Sequence, residues 1–207
     1  SSKGYFDLNG YSETIDGLSG EGIVTLGSGT LTVGANNGTS TFSGVISGAS
    51  GRVIKSGLGT LVLSGNNTYG GTTTVNTGTL QVDGSISSPQ TLTVYDGATL
   101  TGTGSVTAVN ILAGGTVSPG PNRQVLDTGN LTLAGGATIL VELNGTTPGT
   151  GHDQLKVAGT VNLNGATLSP TLGFAATGNV TLVIVDNDGV DPVVGTFAGL
   201  PELCPVT

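Results

Sequence analysis

Residues 55–82 read KSGLGTLVLSGNNTYGGTTTVNTGTLQV, and this stretch contains three short strand patterns separated by Gly and Asn. The patterns are Thr60-Leu61-Val62-Leu63, Thr72-Thr73-Thr74-Val75 and Thr79-Leu80-Gln81-Val82. Branched and aliphatic residues favour extended backbone, whereas Gly and Asn tolerate the left-handed conformation of tight corners. Three strands in so short a stretch indicate a chain that turns repeatedly instead of folding back in long hairpins. The pattern therefore predicts a coiled β architecture built from repeats.

A short phrase, Gly or Ala followed by Thr and an aliphatic residue, recurs along the chain. Its aliphatic positions lie 30, 19, 20, 17, 22 and 22 residues apart, and most of these intervals are near the ~20 residues of one solenoid winding. This spacing predicts an all-β, right-handed parallel β-helix of about ten coils. A β-sandwich with regular short strands is the alternative, but stacked windings explain better why the same residues recur at a corner. The aliphatic positions are Leu31, Leu61, Leu80, Leu100, Val117, Ile139 and Val161.

The composition excludes several classes of partner. Only 9% of the residues are charged, the net charge is −8, and the apolar residues occur in short alternating runs without helical spacing. The few cations are scattered, which argues against nucleic acid and against anionic membrane surfaces. The longest apolar runs are much shorter than a membrane span, so we expect no direct membrane insertion. The cations are Lys3, Arg52, Lys55, Arg123 and Lys156.

A motif within the opening stretch resembles the autotransporter-associated β-strand repeat, which occurs in passenger regions of bacterial type V secreted proteins. Flanking phrases such as 6–10, 114–120 and 153–159 are similar to neighbouring coils of such passengers, so the resemblance extends to about Glu202. It implies a right-handed parallel β-helix that is exported through the periplasm and displayed on, or released from, the bacterial surface. The motif residues, to which we assign a structural role, are Gly57, Gly59, Thr60, Leu61, Leu63, Gly65, Asn67, Thr68, Tyr69, Gly71 and Thr73.

The resemblance also implies a domain organisation. We expect one passenger segment, 1–207, with leading coils in 1–54, the core repeat motif in 55–82, following coils in 83–178, and a terminal coil and tail in 179–207. Passengers precede a C-terminal β-barrel translocator, whose strand pattern this sequence lacks. The first residues contain no apolar signal-peptide region, so we expect a processed or excised segment. The ending 203–207 departs from the Gly-rich pattern, and its Cys204 is expected to be incidental.

Few residues are candidates for catalysis or metal binding. The single histidine, His152, follows a Gly-rich loop signature, and no serine has Gly at both −2 and +2, so we predict no catalytic residues and no cofactor. Asp186, Asp188 and Asp191 surround a Gly turn and resemble part of a calcium loop, although the full EF-hand spacing is missing. A solvated turn is the alternative interpretation of these three carboxylates.

Together these features predict a non-catalytic rod that acts as an adhesin or a structural stalk. Its expected partner is a ligand on a host or environmental surface, or like chains on neighbouring cells. The alternative is a carbohydrate-active β-helix enzyme, a polysaccharide lyase or hydrolase, because such enzymes share the architecture. That alternative needs clustered carboxylates and benefits from aromatic side chains, whereas here the acidic residues are dispersed and aromatic residues make up 4% of the chain.

Overall fold

A computed structural model describes residues 4–175 and 178–200. These residues form β-strands and no helix, which confirms the all-β fold class, and consequently none of them belongs to a helix long and apolar enough to cross a membrane. In chain order the strands are β1 (Tyr5–Asp7), β2 (Glu13–Ile15), β3 (Ile23–Thr25), β4 (Thr30–Val33), β5 (Ser40–Phe42), β6 (Val45–Ser47), β7 (Arg52–Lys55), β8 (Thr60–Leu63), β9 (Asn66–Asn67), β10 (Thr73–Val75), β11 (Gly78–Val82), β12 (Ser85–Ile86), β13 (Leu92–Val94), β14 (Ala98–Thr101), β15 (Ser105–Ile111), β16 (Thr116–Ser118), β17 (Val125–Leu133), β18 (Thr138–Leu143), β19 (Gln154–Val157), β20 (Val161–Asn162), β21 (Thr167–Leu172), β22 (Val185–Asn187) and β23 (Val193–Val194).

The strands lie in three parallel stacks, and the chain visits the stacks in turn. The first stack contains β1, β3, β6, β9, β12, the start of β15, the start of β17, β19 and β22. The second contains β2, β4, β7, β10, β13, the end of β15, the end of β17, β20 and β23. The third contains β5, β8, β11, β14, β16, β18 and β21. Because neighbours within a stack come from successive windings, the described residues form a parallel β-solenoid, as the sequence predicts.

The number of windings is smaller than predicted. Seven strands in the third stack mean that six windings separate β5 from β21. The first and second stacks each contain nine strands and extend one strand further at both ends, whereas the spacing predicts about ten coils. The prediction is too high because the windings lengthen along the chain. The interval from Ile139 to its register partner Leu168 is about half as long again as the interval from Leu61 to its partner Leu80. The right hand of the winding stays a prediction, supported by the strong preference of parallel crossovers for that hand.

The recurring Gly-Thr-aliphatic phrase marks one stack correctly over its central part. Leu61, Leu80, Leu100, Val117 and Ile139 are consecutive register partners in the third stack. The two outer members are exceptions, since Leu31 lies in β4 and Val161 in β20, both in the second stack. The first and longest interval of the series therefore connects two different stacks.

The core lies between the three stacks. Side chains alternate along each strand, so that one row points inward and stacks on its equivalents above and below, as at Leu61, Leu80 and Leu100, which are all buried. Burying one such leucine side chain contributes about 1.5–3 kcal/mol of transfer free energy. The strands after β20 bury less: Leu172 in β21 is 69% exposed and Val193 in β23 is 53% exposed.

Candidate functional site

The repeat motif places a polar side chain, Asn67, inside the core. Asn67 is fully buried in β9, in the inward row that otherwise contains Ile46 and Ile86 from the adjacent windings. Its Oδ1 accepts the backbone N–H of Ile46 (2.9 Å), and its Nδ2 donates to the carbonyls of Gly65 (3.0 Å) and Ser85 (3.2 Å). One amide group thereby joins three successive windings. Every hydrogen bond in this set satisfies a buried or half-buried polar group, which makes the site expensive to disrupt.

Tyr69 fills the corner that follows. Its side chain is fully buried, and its hydroxyl is 2.5 Å from Oγ1 of Thr73, a buried residue on β10. Burial raises the pKa of the Tyr69 phenol, and the hydrogen bond with Thr73 opposes that shift only in part. The phenol therefore supplies a large apolar ring to the core and a polar tip to one partner, as buried tyrosines generally do.

Lys55 begins the motif stretch and is a buried cation, a position that was not predicted from the sequence. Its Nζ donates to the carbonyls of Ser56 (2.6 Å), Gly57 (2.7 Å) and Thr77 (3.3 Å). The three carbonyls satisfy the three N–H groups of the ammonium, and burial lowers its pKa. A signal was present in the sequence, because Lys55 follows Val53 by two residues and therefore shares its inward face.

The remaining motif residues explain why the windings approach closely. At each of the four motif glycines a Cβ atom would collide with backbone carbonyls of the preceding winding, so no side chain fits. Gly57 also has φ +66, in the left-handed region that favours glycine. Leu61 and Leu63 point into the core. The carbonyls that exclude a Cβ are those of Gly34 for Gly57, Asn37 and Gly38 for Gly59, Gly44 for Gly65, and Gly51 and Ser50 for Gly71.

A second buried polar cluster lies in the loop between β18 and β19. Both carboxylate oxygens of Asp153 accept backbone N–H groups, from Gln124 and Glu142, each at 2.7 Å. Burial raises the pKa of Asp153, and these two hydrogen bonds oppose the increase. Adjacent His152 is also buried; its Nδ1 is 3.2 Å from the carbonyl oxygen of Gly145, while its Nε2 has no partner within residues 4–175 and 178–200. Asp153 anchors the loop to β18 through the Glu142 N–H. His152 is buried, whereas a loop residue would be expected to be exposed.

The predicted calcium loop begins within β22 and continues beyond its end. Oδ1 of Asp188 accepts the backbone N–H of Val190 (3.0 Å), and Nδ2 of Asn187 donates to the carbonyl of Asp191 (2.6 Å). Asp186 is the register partner of Lys156. In residues 4–175 and 178–200 no group of three or more His, Cys, Asp or Glu side chains is arranged to hold a metal ion. Calcium at Asp186, Asp188 and Asp191 stays a prediction, and the predicted role of Cys204 falls outside the described residues.

Two cavities lie near the C-terminal windings. One, of about 210 Å³, is lined by Asp127, Lys156, Asp186 and Asp188 among others, so the winding brings together acidic residues that are dispersed in the sequence. The lysine stands between Asp127 and Asp186 in register. The other, of about 390 Å³, is apolar and includes Leu163, Leu168 and Phe197.

Comparison with known families identifies the motif. Residues 53–82 match the model of the passenger-associated-transport-repeat. The match coincides with the stretch 55–82 that resembles the autotransporter-associated repeat, and it confirms that resemblance. The matched segment includes the buried polar residues Lys55, Asn67 and Tyr69.

A curated protein also shows similarity over part of the chain. The adhesin BmaC autotransporter of Brucella suis biovar 1 (strain 1330) is 42% identical over 87 residues, an alignment that covers 38% of this chain. The aligned part spans only 2% of that protein's length. The similarity therefore concerns a small portion of a very long relative.

Proposed function

We propose that this chain is a segment of an exported passenger rod that acts as an adhesin or as a structural stalk and has no catalytic role. The match of residues 53–82 to the passenger-associated-transport-repeat carries this proposal. The similarity to an adhesin autotransporter agrees with it. We place the rod on the bacterial surface or in the extracellular medium, after passage through the periplasm. A C-terminal β-barrel translocator would belong to the complete protein.

The physical properties of the solenoid support a rod. Each winding rests on the next through parallel strand pairing and a continuous row of buried aliphatic side chains, so stiffness accumulates along the axis. The stack does not depend on a disulfide, because the chain contains a single cysteine. As partners we propose a ligand on a host or environmental surface, or like chains on neighbouring cells, and no nucleic acid.

The absence of catalysis is also part of the proposal. A hydrolase needs an activated nucleophile or a pair of carboxylates within reach of a bound substrate. The one histidine is buried and packed against the carbonyl of Gly145, which speaks against a role as a general base for an external substrate. The charged cavity at Lys156 is small compared with typical ligand pockets of roughly 300–1,000 Å³. Release of reducing ends or unsaturated products from a panel of polysaccharides would restore the enzymatic alternative.

The adhesive role can be tested by displaying the chain on the surface of a bacterium. The 207-residue chain is fused to a translocator barrel in a non-adherent bacterium, and attachment of the cells to host-cell and abiotic surfaces is counted. Cells that display the barrel alone serve as the control, and protease shaving confirms that the chain is exposed. We expect increased attachment, or aggregation of the displaying cells. Equal attachment by both strains, with the chain verified at the surface, would contradict the proposed adhesive function.

A further inference from the structure

The outer face of the third stack carries an uninterrupted row of threonines. Each threonine is in register with the next, on six consecutive strands from β8 to β21. Strands in a stack are separated by about 4.8 Å, so the row is about 24 Å long and runs along the solenoid axis. The row consists of Thr60, Thr79, Thr99, Thr116, Thr138 and Thr167. We call it the threonine row.

The hydroxyl groups of the threonine row are available to a ligand. All six side chains are half-buried or exposed, and none of their Oγ1 atoms has a hydrogen-bond partner among the described residues. Beside the row, Thr101 lies between Gln81 and Ser118 in register. Thr101 is only 9% exposed, and its hydroxyl also lacks a partner in the part of the chain that is described. Its Oγ1 is not one of the buried unpaired atoms, so solvent reaches it, and a ligand hydroxyl would replace water at this position.

The charge of this face limits what it can bind. None of the residues in β8, β11, β14 and β16 is charged, although the chain carries a net charge of −8. These four strands themselves offer no charged partner, and the charged groups beside them are carboxylates: Asp83, which accepts a hydrogen bond from the Gln81 side chain, and Glu142 in β18. An anionic ligand would therefore be repelled by this face as well as by the chain as a whole. The face therefore complements a neutral ligand. Each threonine hydroxyl both donates and accepts, so the best match is a ligand whose groups also do both.

We propose that the threonine row binds a straight, neutral polysaccharide of the β-1,4-linked type, with the sugar chain lying along the solenoid axis. This inference rests on the proposed adhesive function and names the chemistry of the ligand. Such a chain is a ribbon of neutral sugars, each bearing hydroxyl groups, and its rise per sugar is close to the spacing of adjacent strands. The threonine methyl groups meet the apolar faces of the sugars, while the hydroxyls and Thr101 exchange hydrogen bonds with them. Because no aromatic platform is present on these strands, each rung contributes weakly and affinity accumulates with length.

The second stack provides a matched control surface. Its outward row contains Thr74, Thr93 and Thr132, which are half-buried like the members of the threonine row. Asn110 stands between Thr93 and Thr132, and Ile54 precedes Thr74, so that row is interrupted. Thr→Val substitutions keep the branched shape and the strand preference and remove only the hydroxyl.

The test measures binding of cello-oligosaccharides from two to six sugars by titration calorimetry, with the intact 207-residue chain. We expect affinity to rise with each added sugar. In the triple variant Thr79→Val, Thr99→Val, Thr116→Val, we expect affinity for the longest sugar to fall about tenfold or more, because several neutral hydrogen bonds are lost. The control triple variant Thr74→Val, Thr93→Val, Thr132→Val should bind within about twofold of the original chain. Circular dichroism verifies that both variants are folded.

Three results would overturn the inference: no binding of the longest sugar, unchanged or tighter binding in the first triple variant, or equal loss in both variants. The display assay separates this inference from the proposed function. If the displaying cells attach while the purified chain binds no cello-oligosaccharide, the adhesive function stands and the assignment of the threonine row falls. If the cells do not attach and the chain binds the sugar through the row, the assignment of the threonine row stands and the adhesive function falls.

Discussion

The windings in residues 52–101 and those in residues 138–200 belong to the same stacks but differ in length and in burial. In the first region, Leu61, Leu80 and Leu100 are successive partners in the third stack and recur at short, nearly equal intervals. In the second region, Leu168 follows its partner Ile139 after an interval about half as long again. The extra residues form loops such as 144–153, and apolar side chains such as Leu172 are exposed. Short windings contain few loop residues, so nearly every inward side chain is buried between its equivalents in the adjacent windings.

Two asparagines show the same contrast within one row. Asn67 and Asn187 both occupy inward positions of the first stack, related by register through Ile86, Val106, Thr128 and Val157. Asn67 forms hydrogen bonds with three windings. Among the described residues, by contrast, the Asn187 side chain donates only to the carbonyl of Asp191, four residues away, and its buried Oδ1 has no partner. The short windings therefore satisfy the hydrogen-bonding groups of the buried Asn67 amide, whereas the long windings leave those of Asn187 partly unsatisfied.

The largest contrast is expected for core truncation. Leu80→Ala should lower the free energy of unfolding by about 3 kcal/mol, because the buried side chain stacks between Leu61 and Leu100 and leaves a cavity. Leu172→Ala, at an exposed position, should change it by less than about 0.5 kcal/mol. Urea denaturation followed by circular dichroism measures both. Equal effects would remove the distinction between the two regions.

A second contrast concerns the two asparagines. Asn67→Val should destabilise the fold by roughly 2–3 kcal/mol, because it leaves the buried Ile46 N–H without its Asn67 acceptor and removes a donor from the carbonyls of Gly65 and Ser85. The Gly65 carbonyl keeps the Ser85 N–H as a second donor. Asn187→Val should change the free energy of unfolding by less than about 1 kcal/mol, because loss of the hydrogen bond to the Asp191 carbonyl is offset by removal of the buried, unpaired Oδ1. The same denaturation assay compares them. Destabilisation by Asn187→Val comparable to that by Asn67→Val would show that the C-terminal amide is better satisfied than its contacts indicate.

The buried phenol of Tyr69 gives a pH-dependent prediction. Its folded-state pKa is raised above the ordinary value of about 10, so its contribution to stability is complete below pH 10 and is lost as the pH rises past that value. At pH 11 the unfolded phenol is largely ionised and the folded one is not, which reduces stability by about 1.4 kcal/mol relative to pH 9. Tyr69→Phe should lack this loss, and the difference between the two chains at pH 9 and 11 measures it. Lys55, whose pKa is lowered, contributes in the opposite direction and is common to both chains.

The smallest effect is expected for calcium. Asp188 already accepts the N–H of Val190, and Asp186 lies beside Lys156 in register, so the loop 186–191 has the features of a solvated turn. We expect no heat in a calcium titration and no change in melting temperature. Heat that disappears in Asp186→Asn would instead establish the calcium loop.

The sequence predicts the central windings well because their spacing is nearly constant. Five aliphatic positions from Leu61 to Ile139 are identified by counting alone, and all five fall in one stack. The outer positions fail because Gly followed by Thr marks entry into a strand at any corner, and Leu31 and Val161 enter the second stack. The predicted coil count is somewhat too high because the later windings contain loops whose length no local pattern reveals.

The polar core was only partly predictable. Asn67 and Tyr69 are recognisable as motif positions, but their partners come from other windings and become apparent only with the register. The alternation with Val53 places Lys55 on the inward face of its strand. Because lysine is so rarely buried, however, its residue type predicts an exposed side chain. His152 and Asp153 follow a Gly-rich loop signature, and their burial results from the packing of that loop against Gln124 and Glu142.

Distances between spin labels on the threonine row test the stacking of the windings most directly. Labels are attached to cysteines introduced at Thr60 and Thr138, and in a second sample at Thr60 and Thr167, after Cys204→Ser. At about 4.8 Å per strand, four and five strand spacings predict separations of about 19 Å and 24 Å, subject to the length of the label arms. An increase of one strand spacing between the two samples supports stacked parallel windings. Equal separations, or a shorter distance to Thr167, would contradict them.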